Sequence, residues 1–304
     1  MSYQQENCRL SLYFVTAIIL LAVILGGCAP QIQKPVRLCP GAESAMDSLS
    51  LLRLRSENTA PLKANGQCLL QYYDEDKKYK EENFPVKLWA NPPAEIYMQG
   101  DVAFDAKGVV LGSNENEFWL SMKPKASTYV WGQWSDEVNP EELMINPKLV
   151  LEALGITEIG REENWSVSNE DDFDVLIRDP KRNKGRSGTT ERDGSNDTRK
   201  IHISNSDCLV KRIEYFNGDQ LVVVTKLSNY KQITEGFFVP SLIKIAKGTA
   251  QAIENSVRIT LNLKSIKLAN ITESQRNHLF TRPEPQGFEY IYKIINGNMV
   301  EQPQ

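Results

Sequence analysis

The sequence predicts a mainly β protein: one antiparallel sheet with a dry face, over which a few helices lie. Three observations predict it. Beyond about residue 67 the chain is a series of short segments rich in aromatic and β-branched residues, separated by Gly, Pro, Asn and Asp turn signals. Most links between them are too short for crossover helices, so successive strands pair antiparallel. Several segments also alternate: Phe84, Val86, Leu88 and Ala90 share a face opposite Lys87 and Trp89, and Val257, Ile259, Leu261 and Leu263 oppose Arg258, Thr260 and Asn262.

In chain order, the first element is an apolar run from Leu12 to Leu25, shorter than the roughly 20 residues that cross a bilayer core. With Arg9 before it and Gly26 and Gly27 after it, the run reads as an export signal, residues 1–27. Residues 28–42 carry Pro30, Pro35 and Pro40, which deny the chain helix and make it a tether. The spacing of Met46, Leu49, Leu52 and Leu54 predicts an amphipathic helix from Glu43 to about Arg55. Strands follow at 67–73, 84–90, 94–99, 108–112, 117–122 and 127–134. A second helix is expected within "NPEELMINPKLVLEALG", capped by Asn139 or Asn146, with Pro140 or Pro147 in its first turn and Gly155 as its stop. Leu149, Leu151 and Leu154 are too apolar for a solvated helix, so they form a lid on the dry face. Further strands are read at 172–178, 199–204, 209–216, 220–227, 238–246, 256–264 and 288–294, with a short helix from Thr272 to about Phe280. Residues 178–200 are polar throughout and read as a flexible loop inserted in a domain spanning 43–297. Residues 298–304 read as a C-terminal tail.

The formal charge of −4 argues against a nucleic-acid partner. Only His202 and His278 are present, far apart and without metal-ligand spacing, and no nucleophile elbow or phosphate-cradling loop occurs. The chain reads as a non-enzymatic protein without a cofactor or metal. Cys39, Cys68 and Cys208 allow one disulfide and leave one sulfur over; Cys68, in an apolar segment, reads as a buried free thiol. Trp89 and Trp119 fall on the opposite face from the aliphatic residues, which predicts partly exposed indoles engaged in cross-strand aromatic pairs. Trp131 and Trp134 differ in parity and cannot both line one cavity.

Two family resemblances follow. Leu25-Gly26-Gly27-Cys28 resembles a bacterial lipobox, which implies acylation of Cys28, removal of the preceding segment and anchoring in a membrane. Ala29 after the cysteine resembles an outer-membrane destination. "FPVKLWANPPAEIYMQGDVAF", "VVLGSNENEFWLSMKP", "NYKQITEGFFVPSLIKI" and "LFTRPEPQGFEYI" resemble, in order, segments of the lipoprotein carrier and receptor superfamily (LolA/LolB-like). That resemblance implies a single curved antiparallel sheet forming a half-open barrel with a helical lid. It also implies an outer-membrane lipoprotein, facing the periplasm, that binds lipid or the acyl chains of lipoproteins. The insertion at 178–200 departs from the family pattern, and no residue matches its membrane-inserting loop tip or partner-docking arginine.

Phe84, Val86, Leu88, Ile96, Met98, Phe118, Leu120 and Met122, on the more apolar faces of their strands, are the expected lining of an apolar cavity. The competing expectation is a self-filled core and an envelope scaffold that docks another envelope protein.

Overall fold

The computed structural model describes residues 42–73, 76–103, 105–123, 127–134, 143, 145–157, 165–170, 172–178, 197–248 and 257–303. Cys28, the export signal, the tether as far as residue 41 and the central part of the insertion, 179–196, lie outside them.

Helix α1 (Ala45–Glu57) precedes six strands, β1 (Leu62–Tyr73), β2 (Tyr79–Asn91), β3 (Glu95–Val102), β4 (Asp105–Ser113), β5 (Glu117–Met122) and β6 (Thr128–Gln133). Helix α2 (Pro147–Leu154) leads to β7 (Trp165–Asn169), β8 (Phe173–Arg178), β9 (Asp197–Ser204) and β10 (Val210–Asn217). Then come β11 (Gln220–Thr234), β12 (Phe237–Lys247), β13 (Val257–Leu268), α3 (Glu273–Leu279), β14 (Tyr290–Ile295) and β15 (Asn298–Glu301). All the strands belong to one 15-stranded sheet, ordered β15-β14-β6-β5-β4-β3-β2-β1-β13-β12-β11-β10-β9-β8-β7. It has two edges and does not close into a barrel. Pairing among the described residues is antiparallel except between β14 and β6, which run parallel.

Side-chain alternation gives the sheet a continuous dry face. Leu88, Met98, Leu111, Leu120 and Val130 sit opposite one another across β2 to β6. Ile259, Ile245, Thr225, Ile213, Ile201 and Leu176 do the same across β13 to β8. That face is concave. The eight-residue α2 is only about 12 Å long, yet it packs against β4 at one side and β11 and β12 at the other. Those strands are five or more strand spacings apart along the sheet, roughly 24 Å, so the sheet must curl around the helix.

The helices begin where the sequence supplies caps. Ser44 and Asp47 form a capping box on α1. Asn146 caps α2, Pro147 opens it and Gly155, in the left-handed region at φ 73°, ends it. The alternative start at Asn139 lies outside the described residues. Leu49 and Leu52 are buried, but Met46 and Leu54 are 60% and 59% exposed, so the apolar face of α1 is narrower than the spacing suggested.

The convex face holds a second set of contacts. Trp89 pairs with Tyr97, and Trp119 with Trp131, in the alternate register. Helix α3, expected from its Thr272 cap, lies here rather than over the concave side. Phe280 and Leu279 pack on Tyr97, Val110 and Trp89, and Phe288 packs on Trp119 and Tyr129. Trp119 is therefore 0% exposed, against the expected partly open indole, because the 269–289 segment crosses over it. Tyr129 donates to the Pro283 carbonyl (2.7 Å) and the Arg282 guanidinium stacks 4.1 Å from the Trp131 ring centroid. This crossing delivers β14 to β6 in the parallel sense.

The Gly-Ser-Asn stretch before Phe118 has a physical reason. A Cβ on Gly112 would stand 2.2 Å from the Trp119 indole. The Asn114 side chain accepts from the amides of Asn116 and Glu117 and donates to the Phe280 carbonyl. The motif thus seats the tryptophan and ties the convex strap to the β4–β5 turn. Gly112→Ala should destabilise the protein by about 1–3 kcal/mol, measured by urea denaturation; an unchanged midpoint would contradict this fit.

Candidate functional site

On α2, all residues except Lys148 are buried: Pro147, Leu149, Val150, Leu151, Glu152, Ala153 and Leu154. The helix expected as a lid on the dry face is enclosed on nearly every side, a plug inside the curl of the sheet. Each large aliphatic side chain buried this way contributes about 1.5–3 kcal/mol.

Of the expected lining, Phe84, Val86, Leu88, Ile96, Met98 and Leu120 belong to the same buried cluster as Leu149, Leu151 and Leu154, and Met122 packs at its margin. Phe118 belongs to a neighbouring cluster with Val130, Leu143 and Ile294, against which Trp134 packs. Trp131 lies with the convex residues, so the two tryptophans do face opposite ways.

A cavity of about 80 Å³ lies beside the plug, between α1, α2 and strands β9 to β12. Leu52, Leu154, Ile201, Ile213, Leu227 and Phe237 form its apolar body, and Arg55, Glu152, Arg199 and Tyr230 bring polar atoms to it. None of the eight expected lining residues borders it. Sequence reasoning missed this site because its walls come from two short helices and four strands distant in the chain. The one local signal was Glu152, a carboxylate on an otherwise apolar helix.

Glu152 is the plug's polar attachment. The Tyr215 hydroxyl donates to its Oε2, and Arg199 Nη2 lies 3.4 Å from the same oxygen. The Arg199 guanidinium also sits 5.6 Å from the Tyr215 ring centroid. Burial, with Glu152 beside it, pushes the Tyr215 phenol well above its ordinary range, partly offset by Arg199. Immediately before α2, the buried Lys247 ammonium donates to the Leu143 carbonyl. At the far wall the Tyr230 hydroxyl donates to the Val210 carbonyl and burial raises its pKa, while Arg55 donates to the Cys208 carbonyl and burial lowers its own. Cys208 is disulfide-bonded, and Cys68 is a buried free thiol.

Among the described residues no cluster of His, Cys, Asp or Glu could hold a metal ion. His202 hydrogen-bonds Glu214 at 3.0 Å on the convex side, and His278 lies on α3.

No protein-family model and no curated protein sequence matches the chain. Solved structures do. One, from Vibrio parahaemolyticus, is described as an outer-membrane lipoprotein-sorting protein domain; it is 12% identical, with a TM-score of 0.51, over 76% of this chain and 96% of its own. The chain shares the fold of that domain. A LolA superfamily protein from Nitrosomonas europaea (12% identity, TM-score 0.47, 79% and 99% covered) also aligns. So does a DUF1329 family protein from Desulfovibrio piger (12%, 0.47, 77% and 97%). The resemblance carried by the sequence motifs is thus matched as one of fold.

Two predictions follow from the buried polar groups. Glu152→Gln takes the carboxylate from Tyr215 and Arg199 and should cost about 1–3 kcal/mol of stability, read from a denaturant midpoint; no change would show the attachment to be without weight. Burial pushes the Cys68 thiol and the Tyr129 phenol up to about 12, and Tyr215 up as well. The folded state keeps these protons where the unfolded chain releases them, above about pH 9. Thermal stability should therefore hold below that pH and fall as pH rises beyond it; a melting temperature flat to pH 11 would contradict this.

Proposed function

We propose that this protein is an outer-membrane lipoprotein, anchored through acylated Cys28 and facing the periplasm, which binds lipid or the acyl chains of other lipoproteins without catalysing a reaction. The observation that carries the reading is the plug. An eight-residue apolar helix occupies the inside of an open sheet, where an alkyl chain would be enclosed equally well. The relative described as a lipoprotein-sorting protein domain supports the same direction.

A cavity of 80 Å³ takes a few methylenes and not a whole acyl chain. Binding therefore requires α2 to withdraw, and the chain would then lie on Phe84, Val86, Leu88, Ile96, Met98, Phe118, Leu120 and Met122. Apolar burial at about 25 cal/mol per Å² on each side would exchange helix for ligand. The Glu152 attachment is suited to that exchange, since its polar partners hold the closed state by only a few bonds. No helix among the described residues is long and apolar enough to cross a membrane; the anchor proposed is Cys28, on the lipobox resemblance of Leu25 to Cys28.

A second reading is favoured by the same close packing: a scaffold with a self-filled core that docks an envelope protein. Titrating fluorescent fatty acid into the folded protein separates the two. The carrier reading expects saturable uptake at about one chain per protein, weakened by Leu120→Arg; a folded sample without saturable uptake would overturn it. Mass spectrometry of the membrane-extracted protein should show an acyl mass increment lost in Cys28→Ser; its absence from the native chain would refute the anchor.

A further inference from the structure

The strap at 269–289 covers the convex face over β2 to β6 and leaves β10 to β13 open. There the convex register sets cations side by side. Arg212 of β10 is the cross-strand partner of Lys226 of β11, and Lys226 is the partner of Lys244 of β12. Arg258 of β13 stands one residue pair away, opposite Ala246. Lys226, Lys244 and Arg258 are exposed. Like charges directly opposite one another destabilise a sheet. Arg212 is ion-paired to Glu214; among the described residues neither lysine has an ion-pair partner, and the row continues to Thr260 beside Lys244. Around them lies a shallow depression of about 530 Å³, bordered by Val224, Lys226, Lys244, Ala246, Arg258 and Thr260. In a chain whose formal charge is −4, this face carries more cations than anions and sets two exposed lysines directly opposite one another.

We propose that this face docks the protein on an anionic membrane surface, its lysines and arginine among the phosphates of lipid headgroups. The chemistry is that of phosphate oxyanions set side by side in a plane. Four adjacent strands put the cations across roughly 15 Å, too broad for one phosphate and matched to several. Val224, Ala246 and Thr260 between them are short and offer no aromatic platform for nucleic-acid bases. A cation near an anionic bilayer gains from its surface potential, and the gain falls with salt. The Lys226–Lys244 repulsion is relieved when a phosphate sits between the two ammonium groups. This surface lies on the opposite side of the sheet from α2, so it stands independently of the acyl-chain reading.

The full chain, reconstituted in vesicles, tests it. Brief labelling with an amine-reactive reagent, read lysine by lysine by mass spectrometry, compares phosphatidylcholine vesicles with vesicles containing phosphatidylglycerol. The expected result is that labelling of Lys226 and Lys244 drops about tenfold on the anionic lipid and recovers at about 1 M salt, while exposed Lys107 on β4 is unchanged. Equal labelling on both lipids would overturn the proposal. So would equal protection by inorganic phosphate at the same phosphate concentration, which would mark a site for a free anion. The Lys244→Glu variant gives a second readout: it should lose the lipid-dependent protection of Lys226 and yet melt at the same or a higher temperature, because the repulsion is gone. Retained protection in that folded variant would also refute it, and fatty-acid uptake, read in parallel, should not move.

Discussion

The structure depends on one packing relationship, that of the concave apolar face with the helix it encloses. A sheet of this breadth with one dry face cannot stay flat in water, because two short helices cannot cover it. Curling brings β4 within reach of β11 and β12 and lets a single helix, α2, contact both. The helix is short, but nearly every residue on it is buried, so each turn covers sheet on several sides. The hydrophobic cluster is consequently continuous from Leu70 through Leu120 to Ile245, with Leu149, Leu151 and Leu154 in its midst.

The two faces meet the same demand by different means. Inside, burial is accomplished by a short helix placed between β6 and β7 and attached by a few polar bonds through Glu152. Outside, the 269–289 strap is fixed more heavily, by Asn114 donating to the Phe280 carbonyl, Arg282 stacked on Trp131 and Arg276 bridged to Glu95 at 2.8 Å. The contrast bears on function. For the carrier role proposed above, that contrast would let the contents change while the sheet keeps its curvature.

Much of the fold was legible from alternation, which separated Leu88 from Trp89 and Leu120 from Trp119, and from the caps at Asn146 and Thr272. Other parts were hidden for identifiable reasons. Strand β7, "WSVSN", sets Trp165 and Val167 on one face against Ser166 and Ser168, but it is only five residues long, too short for its alternation to stand out before β8 pairs with it. Strand β15 extends the sheet into the segment read as a C-terminal tail; its residues are exposed, so periodicity says nothing. Asn296 and Gly297, at φ 50° and 78°, form the turn that builds it, and that dipeptide was a readable hairpin signal. The parallel β6–β14 pair could not be read, because it follows from where the strap lands. The cavity at Glu152 was equally unreadable, since its walls converge only once the sheet has curled.

The central claim, that helix and alkyl chain compete for one interior, is tested most directly by amide hydrogen exchange of residues 147–154 during titration with palmitate. The account predicts that exchange in α2 rises in step with occupancy while the strands beneath it, β1 to β4, stay protected. Full occupancy with α2 as protected as before would contradict it, for the helix and the ligand would then lie in different places.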